Sequence, residues 1–296
     1  MSARKMLILS TVLAPLTCVF WVIVEWHNLR LPLPFEDAAM LFRYAENLAR
    51  GAGLSWNPNE NPSISDGATD LGFVLLLAPL IAVGLPVAAA AILINLAAIT
   101  LTGFLLGIAN LRLWRGSPWL APAVILVVMS GPVNRYVLSG FSAPVLALLV
   151  LASLVLAGLS GLAAYDSPQR PILLAAAGTC AGLAGWWRPE GFVFGSMAVL
   201  AGLLLTRQTK LHKADQYNFA AIILPFALLF VGWIAIRLLY FGQLVPTSGV
   251  MKGGGIAPSN ALASLEFYVT LLLPIVALVF MVTTVSWTTG GWFVTT

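Results

Sequence analysis

Long apolar runs separated by short polar stretches fill this chain from one end to the other. Met6 to about Trp26 is the first run, and others occupy roughly 71–84, 87–111, 117–131, 143–163, 171–187, 191–206, 219–241 and 269–287. Many approach the ~20 residues that an α-helix needs to cross a bilayer at about 1.5 Å per residue. Lipid offers no hydrogen bonds to the backbone, so each run must satisfy its own peptide groups as helix. A membrane β-barrel would instead show short segments of alternating polarity. The pattern predicts an all-α, polytopic transmembrane helical bundle with about 8–9 apolar segments. The first run is too long for a signal-peptide core and no small-residue cleavage site follows it, so it is expected to be retained.

The longest early interruption, His27 to Asp70, has a helical rhythm of its own. Within 36–50, Leu41, Phe42, Ala45, Leu48 and Ala49 form an apolar stripe. Glu36, Arg43, Asn47 and Arg50 fall on the opposite face. Pro34 marks the start of this helix, and Gly51 and Gly53 mark its end. The expectation is an interfacial helix in the first outer loop, lying on the membrane with its apolar face down.

Composition agrees with the pattern. Hydrophobic residues make up 60% of the chain and charged residues 9%, against about 25% charged in soluble domains. One soluble core cannot hide that much apolar surface. The net charge of +4 is no nucleic-acid signal, because the basic residues sit singly or beside apolar runs, where they act as topology determinants. Arg4 and Lys5 place the N-terminus in the cytoplasm, and Arg207, Lys210 and Lys213 place their loop there too. Counting back from that loop puts 188–190 and 131–142 outside and 112–116 inside, in agreement with Arg112 and Arg115. An odd number of crossings must then separate the outside loop ending at 70 from the inside loop at 112. Two apolar runs lie between them, so either 71–84 is a partial or re-entrant span, or a later assignment differs. Cys18 and Cys180 fall inside apolar runs and give no reason to pair. No Cys/His cluster has metal-ligand spacing.

Charge chemistry concentrates in the 27–70 stretch, which holds six of the eleven acidic residues: Glu36, Asp37, Glu46, Glu60, Asp66 and Asp70. Glu36 and Asp37 open the predicted helix, where its dipole favours the ionised carboxylate. An ionised carboxylate at a membrane surface can take a proton from a hydroxyl. Two acids at a helix start are equally ordinary capping residues, and the helix alone favours that reading. Arg188 and Glu190 flank a proline between two apolar runs. Charges at such boundaries are expensive and usually functional, although a plain interfacial turn explains them about as well when taken alone.

Three blocks in order resemble a known family. The first runs Glu36-Asp37-Ala38, Phe42-Arg43-Tyr44, Asn47-Leu48, Gly51, Gly53-Leu54, Trp56-Asn57-Pro58 and Glu60, then Asp66-Gly67-Ala68-Thr69. The second is Trp187-Arg188-Pro189-Glu190-Gly191. The third is Arg237, Tyr240-Phe241-Gly242-Gln243, Pro246-Thr247 and Lys252. Together they resemble the C-type (GT-C) membrane glycosyltransferases, in particular the polyprenyl-phosphate-sugar-dependent group that includes mycobacterial terminal arabinofuranosyltransferases. The chain departs from that pattern in four ways. Glu36 stands where an Asp is usual. The family's Gly-x-Glu-Thr has no acid in Ser139-Gly140-Phe141-Ser142-Ala143. Pro246-Thr247 lacks an intervening Asn. Members usually continue well beyond the position of Thr296, so residues 1–296 correspond to the transmembrane module and the C-terminal extracytoplasmic domain is expected to be absent.

The resemblance implies an enzyme that moves a sugar, with inversion, from a polyprenyl-phosphate donor to a glycan, lipid or protein acceptor of the cell envelope. It would sit in the plasma membrane with its site on the extracytoplasmic face. Glu36 or Asp37 is then the base on the acceptor hydroxyl. Arg188 and Lys252 bind the phosphate, arginine as a fork and lysine as a point charge. Arg43, Tyr44 and Glu190 complete the substrate-binding set. Arg43 alternatively pairs with Glu36, and Tyr44 and Trp56 either stack on a sugar or anchor at the interface. No metal, cofactor or nucleic acid is implied. The rival readings are a transporter or flippase of a lipid-linked or anionic solute, which internal repeats and midplane sites would favour, and a non-catalytic membrane subunit.

Overall fold

A computed structural model describes residues 3–28, 36–59, 70–113, 119–129, 137–163, 167–206 and 213–242. The chain divides into the units Met1–Ser248 and Gly249–Thr296. The second unit, and with it the apolar run at 269–287, lies outside the described residues. Those residues are helical and contain no strand.

Nine helices follow one another in the described residues: α1 (Ala3–Asn28), α2 (Glu36–Ala49), α3 (Leu71–Ala82), α4 (Val87–Arg112), α5 (Leu120–Met129), α6 (Ala143–Leu162), α7 (Gln169–Trp187), α8 (Glu190–Thr206) and α9 (Lys213–Ile236). Each apolar run before residue 242 coincides with one of them. Three segments, Val87–Arg112, Ala143–Leu162 and Tyr217–Phe241, are long and apolar enough to cross a membrane. Leu9–Val24, Leu71–Ala82 and Glu190–Ala201 are shorter apolar helices.

Glycine sets how closely these helices approach. On α4, a Cβ at Gly103 would lie 2.9 Å from the Pro15 Cα, and one at Gly107 would lie 2.8 Å from the Ser10 carbonyl oxygen. On α7, Gly178 faces the Ile222 carbonyl of α9, and Gly182 faces the Leu229 side chain. On α8, Gly191 and Gly195 face the Ala184 and Ala181 carbonyls of α7. Each pair is spaced i, i+4, the small-xxx-small arrangement that brings helices together where lipid supplies no hydrophobic drive.

The same contacts give the helix directions. Ser10 meets Gly107 and Pro15 meets Gly103, so α1 and α4 are antiparallel. Asn95 of α4 binds the carbonyls of Val137 and Phe141, just before α6, and Leu113 packs on Gly158 near the end of α6. Hence α4 and α6 run the same way. Gly178 and Gly182 meet Ile222 and Leu229 in increasing order, so α7 and α9 are parallel, with α8 returning between them.

α3 is the exception. Its twelve residues rise about 18 Å, against roughly 30 Å of hydrocarbon in a bilayer. It ends in a Schellman turn: the Gly84 amide donates to the Ile81 carbonyl at 2.9 Å and the Leu85 amide to the Leu80 carbonyl at 3.1 Å. Gly84, at φ 95°, is the left-handed residue such a turn requires. Pro86 then leads into α4.

One expectation is corrected. The apolar stripe of α2 does not lie open to lipid. Ala38, Leu41, Phe42 and Ala45 are buried in one cluster with Phe73, Val74 and Leu77 of α3, Ala90, Ala91 and Ala98 of α4, Val145 of α6 and Trp187 of α7. Periodicity identified the face; an apolar face is served as well by α3 as by acyl chains.

If the α7–α9 contact depends on Gly178, Gly178→Ala drives a Cβ into the Ile222 backbone and costs about 1–3 kcal/mol. At Gly232 the nearest neighbour of an added Cβ is the Trp186 ring at 3.6 Å, so Gly232→Ala is tolerated. Unfolding temperatures in detergent should drop for the first and hold for the second.

Candidate functional site

The second helix and its return loop form one self-buttressed unit. α2 ends at a second Schellman turn, in which the Gly51 amide donates to the Leu48 carbonyl at 3.0 Å and the Ala52 amide to the Asn47 carbonyl at 2.9 Å. The chain then doubles back over the polar face of α2. Arg43 Nε donates to the Trp56 carbonyl and Arg43 Nη2 to Asn57 Oδ1, both at 2.8 Å. Asn47 Nδ2 donates to the carbonyls of Ser55, at 2.8 Å, and Trp56, at 3.1 Å. Two residues one helical turn apart thereby grip the same carbonyl. Asn47 is consequently buried rather than solvated.

The Trp56 ring is enclosed by the same residues. The Arg43 guanidinium lies 5.0 Å from its centroid and the Tyr44 ring 6.0 Å away. Tyr44 itself is 1% exposed. This corrects its assignment as a sugar-stacking or interfacial residue: the ring packs in the core behind Trp56. The hydrogen bonds described for Arg43 go to the Trp56–Asn57 loop. Asp37 is exposed on the first turn of α2. Glu36 is the first residue of α2, and its side chain lies outside the described residues.

The loop is held from a third element. α9 continues into a π-helical turn, Arg237–Phe241, closed by Gly242 at φ 71°. The Tyr240 hydroxyl accepts a hydrogen bond from the Leu54 amide at 3.0 Å, across 186 residues of sequence. In the same turn Arg237 is buried, its guanidinium over the rings of Trp233, at 5.1 Å, and Phe241, at 5.5 Å.

A fourth and fifth element meet at the corner between α7 and α8. Arg188 and Pro189 alone separate the helices, and the Gly191 amide closes the corner on the Arg188 carbonyl at 2.7 Å. Arg188 Nη2 lies 3.3 Å from Glu190 Oε1, and its guanidinium stands 5.6 Å from the Phe141 ring centroid. Their side chains are 32% and 50% exposed, so a ligand can reach them and solvent weakens the pair. The Trp187 ring occupies the space that a Cβ on Gly72 would need, and Phe42 does the same at Gly140.

The predicted Glu36, Asp37, Arg43, Arg188 and Glu190 therefore belong to elements packed around one end of the bundle: α2 and its loop, the start of α3, the segment before α6, the α7–α8 corner and the end of α9. Lys252 lies outside the described residues, as do Glu60, Asp66 and Arg135. Among the described residues no group of three His, Cys, Asp or Glu side chains could hold a metal ion.

Three residues at this end were not singled out beforehand as site candidates. Asp70 and Ser142 are fully buried, and the Ser142 hydroxyl donates to the Asp70 carboxylate. Asn95, also fully buried, donates to the Val137 and Phe141 carbonyls at 3.1 and 2.9 Å. A usable signal existed for two of them: an acid immediately before an apolar helix, and an amide near the middle of a long apolar one.

No family model, curated protein or solved structure matches the chain.

The Leu54–Tyr240 bond is testable alone. A net hydrogen bond is worth about 0.5–1.5 kcal/mol, so Tyr240→Phe should speed exchange of the Leu54 amide by up to about tenfold in hydrogen-exchange mass spectrometry. Protection along α7 should stay at the parental level.

Proposed function

We propose that this chain is a GT-C-type membrane glycosyltransferase that uses a polyprenyl-phosphate sugar and works, with inversion, on the extracytoplasmic face. The observation that supports this most is a convergence. The three sequence blocks that carry the resemblance are far apart in the chain, yet their described residues belong to elements packed around one end of the bundle. Tyr240 of the third bonds the loop of the first, and Trp187 of the second shares a core with α2 of the first.

Helix directions support the sidedness. α1, α7 and α9 run toward the candidate site, whereas α4, α6 and α8 run away from it. Arg112 ends α4 and Lys213 begins α9, both at helix ends opposite that site, and Arg115, Arg207 and Lys210 are close to them in sequence. In this reading α1, α4 and α6–α9 cross the membrane, as does the apolar run at 117–131 that contains the ten-residue α5, whereas α3, by its closing turn rather than its length, enters and leaves on one side. That satisfies the odd crossing count between residues 70 and 112. The basic loops then face the cytoplasm, and the site faces outward.

The mechanism follows from the chemistry required. A carboxylate of Glu36 or Asp37 accepts the acceptor hydroxyl's proton as that oxygen attacks the sugar's anomeric carbon. The bond from that carbon to the lipid phosphate breaks, and the phosphate leaves with the electron pair. Arg188 meets the departing phosphate with a planar fork, with Glu190 holding the guanidinium until substrate arrives. Lys252 adds a second cation by the same resemblance. Arg43 and Tyr44 act indirectly in this scheme, by holding the Trp56 loop beside the acids.

Glu36→Gln and Asp37→Asn test the base. Both keep size and capping capacity and neither can take a proton. One of them should lose turnover by roughly 10²–10⁴-fold, measured as transfer from labelled polyprenyl-phosphate sugar, with donor binding near parental. Parental turnover in both single mutants and in the double mutant would remove the acids from the mechanism.

Cysteine labelling in intact cells, on a cysteine-free background, tests the sidedness separately. A cysteine at position 60 should react with an impermeant reagent and one at position 210 should not. The reverse result would overturn the topology.

A further inference from the structure

Asp70 is a carboxylate buried at the junction of three elements, and a buried carboxylate is costly unless it is hydrogen-bonded. Two features of its surroundings offset that cost. It occupies the N-cap of α3, where the helix dipole favours negative charge, and it accepts the Ser142 hydroxyl. A pair of apolar residues of similar size would hold helices together about as well, so stability alone gives little reason for this arrangement.

Its neighbours suggest another reason. Ser142 begins α6, and its carbonyl accepts the Val145 and Leu146 amides at 3.1 and 3.3 Å. The residue before it, Phe141, carries the Arg188 guanidinium over its ring and is fixed from behind by Asn95. Two residues after Asp70, Gly72 receives the Trp187 ring, next to Arg188. The first turn of α3 thus touches both sides of the Arg188 corner, one through Ser142 and Phe141, the other through Trp187. We propose that Asp70 is a positioning residue for Arg188: through Ser142 it sets the Phe141 platform that holds the guanidinium at the mouth of the site. The helix that Asp70 caps also shares a buried core with α2, which carries Glu36 and Asp37. The inference rests on the proposed role of Arg188 in binding the donor phosphate.

The experiment uses the full chain in detergent micelles, as Asp70→Asn, Ser142→Ala and the double variant. Asp70→Asn keeps the volume and an acceptor oxygen but removes the charge; Ser142→Ala removes the donor and is the milder change for folding. If Asp70 acts through Ser142, each single variant raises the KM for polyprenyl-phosphate sugar by about ten- to a hundredfold with kcat within about twofold. The double variant then does no worse than the more affected single one. A second readout needs no activity: the rate at which phenylglyoxal modifies Arg188, followed by peptide mass spectrometry. That rate should rise several-fold in both variants, while modification of Arg43 stays at the parental rate. Parental KM with parental Arg188 labelling in both single variants overturns the proposal, as does full additivity of the two substitutions. If the parent neither binds nor uses the donor, the glycosyltransferase reading fails, and Arg188 labelling alone decides whether Asp70 positions that side chain.

Discussion

Close backbone contact between helices is the constraint on which this bundle depends. α7 is its centre, because one helix uses small residues on two sides. Gly178 and Gly182 admit α9, while Ala181 and Ala184 lie under the glycines of α8. In a bilayer, apolar side chains gain little by leaving lipid for one another. Dispersion between closely fitted surfaces then carries the association, and it falls away steeply with separation. The corner at Arg188–Pro189 is two residues long because the helices it joins are already in contact. The position of Arg188 at this corner therefore follows from glycines that lie from one to about three turns away.

The polar end of the bundle uses a different economy. Beside the side-chain pairs Ser142–Asp70, Arg43–Asn57 and Arg188–Glu190, many of its bonds run between side chains and backbone: Arg43 and Asn47 to Trp56, Asn95 to Val137 and Phe141, the Leu54 amide to Tyr240. Such bonds fix irregular chain without placing two side chains in each other's service. They leave Asp37, Arg188 and Glu190 at least partly open to solvent while their supporting segments are fixed. That combination suits the roles proposed for them, with mobility confined to the last few atoms.

Much of this was legible in the sequence. Every apolar run up to residue 242 became a helix, and Gly51 ended α2 as its position suggested, because backbone satisfaction in lipid leaves few alternatives. The partner of an apolar face was not legible. The α2 stripe has the same period whether α3 or lipid covers it, and only tertiary structure decides. Tyr44 looked like a ring available for stacking, and its burial depends on Trp56 folding back, an event governed by Arg43 and Asn47. Asp70 and Ser142 lie 72 residues apart, and nothing local marks either as the other's partner. The glycine pairs of α4, α7 and α8 were visible as spacing, but which helix each would admit was not.

The turn after α3 has a consequence for how the protein sits among its lipids. In the proposed topology a helix of about 18 Å reverses while still within the hydrocarbon. The turn's own amides bind the Leu80 and Ile81 carbonyls, and Val83 projects outward at 74% exposure. A loop that closes its own hydrogen bonds and shows an apolar side chain can be wetted by acyl chains instead of water. On that flank the membrane would meet a step rather than a full-height wall. Bilayer thickness there becomes a mechanical variable, since hydrophobic mismatch costs fractions of a kcal/mol per Å. A thicker or thinner leaflet would press on α3 and, through its first turn, on the Arg188 corner.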